Sequence, residues 1–441
     1  MIRSRALCWG LLLTALLLPL SAAAEIGTVD VVPAATLLLP YFEVDLADPV
    51  WNSTAFSINN ASEEPVIAHV TLWTDLSVPT LDFNVFLTGY DVLTFNLRDL
   101  FDTGTLPQTS HSNTAISPRG IFSTTSNGTT GVGPGSSSCD DQLPLPPLPQ
   151  VLLEHIRAAH TGQASPVVFG GLCSGVDHGD VIARGYVTID NVNFCSLQFP
   201  GDVGYFISGG LGVANNQNVL WGDVFYIKDT ESSAQGMPLV HIEADDLLGP
   251  ADYTFYRRYS GGADQREGLA NHFAVRYLNG GVFDGGTDLI VWRDSKRSIA
   301  PFNCALTAPA PYPLSANQIV IFDEQENPEV PETSPFSPPL PGVLLIPFPW
   351  ESNRITVNDP DFFPVTFDFG WLYLNFNNSV AGSQVPFEPL MQNYVQAVMT
   401  ANGRFSVGFD AIQLGNVTEP GGAPDDLLPI CDGAPDPVGC N

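Results

Sequence analysis

Val66-Ile67-Ala68-His69-Val70-Thr71-Leu72-Trp73 decides the fold class of this chain. In an extended strand Val66, Ala68, Val70 and Leu72 share one face, and Ile67, His69, Thr71 and Trp73 share the other. The polar turn Asn59-Asn60-Ala61-Ser62-Glu63-Glu64-Pro65 precedes it. Residues 54–59 alternate polar and apolar before that turn, and strand-like runs at 82–87 and 92–97 follow. Short strands at this spacing, punctuated by Asn, Gly and Pro, fit an antiparallel sandwich.

Working outward, 37–44 reads as a buried strand interrupted by Pro40. Further strands are expected at 181–190, 219–227, 239–243, 273–278, 288–292, 318–322, 343–346, 370–376, 394–400 and 404–409. One short helix is expected over 150–160, with Val151, Leu152, Ile156 and Ala159 as its apolar stripe and Gly162 as its stop. The expected fold is mainly β: two or three antiparallel β-sandwich-like (Ig-like) units with long loops. The units are a β-sandwich at 25–107, a Ser/Thr/Gly/Pro-rich linker at 108–149 and a central β-rich region at 150–322. An acidic Pro-rich connection at 323–342, a C-terminal β unit at 343–423 and a tail at 424–441 complete the chain.

The first 24 residues have the layout of a secretory signal peptide. Arg3 and Arg5 precede an apolar run from Ala6 to Leu20, and Ser21-Ala22-Ala23-Ala24 offers small residues for cleavage before Glu25. The run is short for a membrane span, and no second one follows to form a transmembrane anchor. The reading is a secreted, periplasmic or cell-surface protein. Excision removes two of 16 basic residues against 47 acidic ones, moving the net charge from −31 to −33. Such a surface repels nucleic acid and anionic lipid. A chain that is 44% hydrophobic and 10% aromatic is too apolar for an acidic disordered tail.

Cys8 leaves with the leader, and Cys139, Cys173, Cys195, Cys304, Cys431 and Cys440 remain. An even count in an exported chain reads as three disulfides. The turn-rich segment between Cys431 and Cys440 makes that pair the first choice; Cys139–Cys173 and Cys195–Cys304 follow by order along the chain. No Cys-x-x-Cys spacing supports a zinc site.

Catalytic signatures are missing: there is no G-x-S-x-G, H-E-x-x-H or Walker-type loop. Asp177-His178-Gly179-Asp180 is the best catalytic-looking cluster, since carboxylates beside His178 can hold it as a general base. The simpler reading is a polar turn entering the next strand. His155 and His160 fall on different helix faces and read as surface histidines. No cofactor is implied, and calcium is the one metal the sequence admits, through Glu243, Asp245 and Asp246, Asp359 and Asp361, or Asp45 and Asp48. Solvated loop charge is the default for each. Trp73, Trp221, Trp292, Trp350 and Trp371 lie in or beside strands and read as core, with stacking on sugar rings as the alternative.

Internal echoes are present. Leu72-Trp73-Thr74-Asp75 matches Val291-Trp292-Arg293-Asp294, Leu37-Leu38-Leu39-Pro40-Tyr41-Phe42 matches Leu344-Leu345-Ile346-Pro347-Phe348, and Phe56-Ser57-Ile58-Asn59-Asn60 matches Leu374-Asn375-Phe376-Asn377-Asn378. They mark two or three copies of one unit, or chance likeness among strands; superposing 35–103 on 270–325 and on 343–412 separates these. The run Phe56-Ser57-Ile58-Asn59-Asn60, followed by Ala68-His69-Val70-Thr71-Leu72-Trp73-Thr74-Asp75, resembles a pattern in uncharacterised exported bacterial β-sandwich-type proteins. The resemblance implies a fold class and an export route, with no known activity. The expected function is non-enzymatic, through binding of an unknown ligand or surface partner or through assembly. The alternative is a secreted hydrolase acting on polysaccharide through an unrecognised site.

Overall fold

A computed structural model describes residues 32–47, 52–107, 145–228, 233–294, 300–305, 314–315, 318–329, 344–345, 348–358, 365, 367–376 and 392–416. The strands in chain order are β1 (Thr36–Asp45), β2 (Ser53–Asn60), β3 (Val66–Thr74), β4 (Pro79–Leu87), β5 (Val92–Asn96), β6 (Ile182–Val192) and β7 (Leu220–Trp221). Then come β8 (Asp223–Lys228), β9 (Ser233–Pro238), β10 (Val240–Ile242), β11 (Ala270–Leu278), β12 (Gly286–Arg293), β13 (Leu314–Ser315) and β14 (Ile319–Asp323). The last are β15 (Pro328–Glu329), β16 (Leu344–Leu345), β17 (Ser352–Thr356), β18 (Phe369–Asn375), β19 (Asn393–Ala401), β20 (Phe405–Asp410) and β21 (Ile412–Asn416). Helices are few: α1 (Leu97–Thr103), α2 (Gln150–His160) and the four-residue α3 (Arg257–Ser260). The protein is mainly β, with several antiparallel sheets and few helices.

The sheets form two sandwiches that do not follow the expected units. The first pairs a sheet of order β10-β1-β6-β3-β4 with one of order β5-β2-β8-β9, in which β7 also pairs with β2. Strands from 25–107 therefore share both sheets with strands from the central region, and 25–107 is not a unit of its own. The second sandwich pairs β15-β14-β18-β11-β21 with β17-β12-β19-β20. Residues 323–329 belong to its β14–β15 hairpin rather than to a connection. Each sandwich has its own core, the first around Phe42, Phe56 and Ile189, the second around Phe273, Leu372 and Phe376.

The two strand orders are the same. Replacing β1, β2, β3, β4, β5, β6, β8, β9 and β10 by β11, β12, β14, β15, β17, β18, β19, β20 and β21 converts the first pair of sheets into the second. Pairing registers agree at equivalent positions outside the bulges. Trp73 pairs with Tyr186 and Pro79, and Phe322 pairs with Trp371 and Pro328. Leu37 pairs with Ile189, and Phe273 with Leu374. The Asn191 N–H donates to Ala35 O, and at the equivalent place the Phe376 N–H donates to Asn271 O. The described strands thus form two copies of one unit. The sequence echoes do not mark it: Leu72 to Asp75 and Val291 to Asp294 fall on β3 and β12, which are not equivalent strands.

Two local devices recur. In the β3–β4 turn, Thr74 Oγ1 accepts from the backbones of Leu76 and Val78, and Ser77 has φ 61°. In the β14–β15 turn, Asp323 Oδ1 accepts from the backbones of Gln325 and Asn327, and Glu326 has φ 66°. The second device is a glycine. A Cβ on Gly185 would run into Trp73 O and the Phe42 ring, and one on Gly370 would run into Phe322 O and the Tyr277 hydroxyl. Strands in each sandwich approach closely there, so only glycine fits. In β1 the pairing register shifts between Leu39 and Phe42, so Pro40 sits at a bulge rather than ending the strand.

Helix α2 has the expected limits but a different buried stripe: Leu153, Ile156, Ala159 and His160 face inward, while Val151 is exposed. Helix α1 was not expected; Asn96 caps its start through Arg98 N–H, and Gly104 with φ 70° ends it. Cys173 bonds to Cys304, not to Cys139, and so Cys195 does not pair with Cys304 either. Spatial proximity selects Cys173 and Cys304, because Cys173 and Phe302 form an isolated β-bridge. Cys195 is also disulfide-bonded; Cys139, Cys431 and Cys440 lie outside the described residues. Among the described residues no helix is long and apolar enough to cross a membrane.

Gly185→Ala and Gly370→Ala are each expected to destabilise their sandwich by about 1–3 kcal/mol or more, as overpacking does. Chemical denaturation of the two variants checks this; wild-type stability in either would remove the steric role of its glycine.

Candidate functional site

The best-defined polar cluster lies where the sandwiches meet. Trp73 at the end of β3 stacks on Tyr186 of β6, with centroids 5.7 Å apart and planes 3° apart. Tyr259 stacks on Trp73 at 5.7 Å, and Trp292 of β12 meets Tyr186 edge-on at 6.0 Å. Leu38, Val240, Ile242, Phe255, Leu269 and Tyr394 complete this apolar joint.

Arg258, buried beside these rings, holds the joint together. Its Nη1 donates to Glu351 Oε2 at 3.0 Å and its Nη2 to Glu351 Oε1 at 2.9 Å. Nη2 also reaches Ser77 Oγ at 3.0 Å and the Tyr259 hydroxyl at 2.8 Å, while Asp294 lies 3.5 Å from Nη1. The guanidinium sits over the Tyr259 ring at 4.6 Å. Burial works against the Arg258 charge, but Glu351 and Asp294 outweigh it and hold its pKa above the ordinary value. The cavity lined by Trp73, Tyr186, Tyr259, Arg258 and Trp292 is only about 10 Å3, water-sized. The arrangement is a packed polar joint rather than a ligand pocket.

A second ion cluster crosses the same junction. Arg354 of β17 donates to Glu43 Oε1 at 3.0 Å and to Asp288 Oδ2 at 2.7 and 2.9 Å. Burial disfavours the Asp288 charge, yet Arg354 and Lys228 keep its pKa below the usual range.

The residues singled out in the sequence are placed differently. His178 does not pair with Asp177 or Asp180. Its Nε2 lies 3.0 Å from Oδ2 of the buried Asp75, in the β3–β4 turn. Asp180 makes a bidentate pair with Arg184 at 2.7 and 2.8 Å, which lowers its pKa, and Asp177 accepts from Gly179 N–H. Asp245 accepts from Leu247 N–H and Asp246 from the Asn216 amide, while Glu243 offers its backbone carbonyl to Glu267. Among the described residues no group of three or more His, Cys, Asp or Glu side chains is placed to hold a metal. Asp359, Asp361 and Asp48 lie outside those residues.

The histidine reading is corrected for His160, which is buried rather than on the surface. Its Nδ1 donates to Arg184 O at 2.8 Å, which leaves Nε2 to accept from Thr80 Oγ1 at 2.8 Å. Burial pushes its pKa down to about 4. His155 is half-buried, stacks on Phe169 at 4.3 Å and contacts Ser165 Oγ. Trp73 and Trp292 are core, but Trp221 is exposed and shares a face of the β5-β2-β8-β9 sheet with exposed Val92 and Phe225. Asp75, Arg258 and Glu351 escaped the sequence reading. The one available signal was the aromatic run Tyr253-Thr254-Phe255-Tyr256-Arg257-Arg258-Tyr259 around two arginines in an acidic chain. Comparison of the chain with family models, curated proteins and solved structures finds no match to any of them.

Glu351→Gln is expected to cost about 3–5 kcal/mol, because it leaves the buried Arg258 charge with Asp294, at 3.5 Å, as its one carboxylate partner. Denaturation of the variant measures this, and a change below about 1 kcal/mol would demote the pair. A second expectation concerns acid. The folded protein keeps His160 neutral down to about pH 4, whereas the unfolded chain protonates near pH 6.5. His160 therefore contributes fully above pH 6.5, and its contribution falls by about 3 kcal/mol as the pH drops toward 4. Stability–pH curves of wild type and His160→Gln should diverge in that window; parallel curves would show that His160 does not titrate there.

Proposed function

We propose that this is an exported, non-enzymatic protein that acts by binding or assembly at the cell surface or in the extracellular space. The observation that carries this reading is the outward face of the β5-β2-β8-β9 sheet. Val92, Trp221 and Phe225 stand on that face around Asn59 and Asp223, 61%, 38% and 42% exposed. They sit on paired strands, so the apolar surface is held rigid, and exposed aromatics on a rigid sheet suit recognition. The loop carrying Val167, Val168 and Phe169 adds a second exposed apolar surface close to the Cys173–Cys304 bond. That disulfide supports an oxidising compartment.

The secreted-hydrolase reading keeps one observation in its favour: an exposed His178 oriented by the buried Asp75 at 3.0 Å, as a general base would be. One experiment weighs both. The disulfide-intact protein is co-sedimented with cell envelopes, alongside a Trp221→Ser, Phe225→Ser variant and a panel of polysaccharide hydrolysis assays. The variant is expected to lose most of the sedimented fraction while its stability stays within about 0.5 kcal/mol, since both side chains are exposed. Hydrolysis that disappears in His178→Ala would replace binding with catalysis.

A further inference from the structure

The duplication connects the exposed face to the joint. The second sandwich docks on the first through the outward side chains of β12, β17 and β19. Ile290 and Val398 enter the core of the first sandwich, Trp292 and Tyr394 enter the joint, and Ser352 Oγ donates to Pro40 O. Pairing registers place Ser57, Phe225, Asn59, Trp221 and Val92 of the first sandwich at the positions of these five residues, in that order. The face that docks in the second copy is therefore the face that Val92, Trp221 and Phe225 leave in solvent in the first. At its centre Asn59 Oδ1 is buried without a hydrogen-bond partner.

The receiving side is duplicated too. In the first sandwich the Trp73–Tyr186 stack lies under the joint, 1% and 2% exposed. Its counterpart in the second, Phe322 on Trp371 at 4.2 Å and 9°, remains half-exposed. Exposed Arg276 of β11 pairs with Trp371 across the strands, and half-exposed Asp223 lies between Trp221 and Phe225. The docking face thus carries an acidic residue, and the receiving face a basic one beside the acidic Asp323 that follows Phe322.

We propose that the chain associates head to tail with a second copy of itself, repeating its internal joint. The Val92–Trp221–Phe225 face of one copy seats on the Phe322–Trp371 stack of the next. This rests on the binding-or-assembly reading and names the partner. Because the two surfaces differ, the contact is heterologous, and it builds a ring or a filament rather than a closed two-fold dimer.

Analytical ultracentrifugation of the exported chain tests this. Species larger than a dimer are expected to grow with concentration, and more so with added salt, which screens the repulsion between acidic copies. A donor-blocked variant (Trp221→Asp, Phe225→Asp) and a receiver-blocked one (Phe322→Ser, Arg276→Glu) should each be monomeric. Their mixture should form a 1:1 heterodimer and stop. Arg276→Glu alone, exposed and safe for folding, adds a like charge to the receiving face of an acidic chain and should weaken association about tenfold. A wild type that stays monomeric at every concentration overturns the proposal, as do dimers whose blocked variants fail to complement. A monomeric wild type that still binds envelopes through Trp221 and Phe225 ends self-association and leaves the binding reading standing.

Discussion

A guanidinium buried between two sandwiches sets the constraint on which the arrangement of this protein depends. Removing Arg258 from water carries a large desolvation cost unless carboxylates and hydroxyls surround it. Its partners come from four places in the chain: Ser77 in the β3–β4 turn, Tyr259 beside it, and Asp294 and Glu351 in the second sandwich. They meet only when the sandwiches sit in one orientation. The aromatic rings around them exclude water, which strengthens the pair and raises the cost of disturbing it.

The same joint explains how two copies of one unit can differ. In the first copy the sheet with β1, β3 and β6 is covered on both faces, by its own core and by loops and the second sandwich, so every residue of β1 and β3 is buried. In the second copy the equivalent sheet keeps Phe322 and Trp371 half-exposed. What both copies retain is backbone geometry: glycine at Gly185 and Gly370, proline at Pro79 and Pro328, and a left-handed residue at Ser77 and Glu326. Steric contact and turn geometry tolerate few residues at such positions. Side chains elsewhere have been free to diverge, because any apolar residue of suitable volume fills a sandwich core.

That divergence decides how much was legible. Most of the strands were, because period-two alternation and turn residues are local; β9, β17 and β21 were not expected. The helix at Gln150–His160 was legible, but its inward stripe was not, since the side that faces inward depends on where β4 and β6 lie. His160 reads as a surface residue until Thr80 and Arg184 are brought to it. Order along the chain chose the wrong cysteine partners because Cys173 and Cys304 are separated by 131 residues and meet only through the fold. The carboxylate that holds His178 comes from Asp75, more than a hundred residues away, rather than from its neighbours.

By itself the sequence determined a mainly β chain of short antiparallel strands, an acidic surface, an expected export route and a place for one helix. These follow from composition and from patterns that span a few residues. Tertiary structure alone decided that the chain is two sandwiches of one topology and which cysteines bond. It also decided that Arg258 and Glu351 lock the joint, and that the face used for docking in one copy stands exposed in the other. The physical reason is range: hydrogen-bond register, burial and ion pairing across hundreds of residues depend on where strands land in space, and local side-chain alternation carries no record of that.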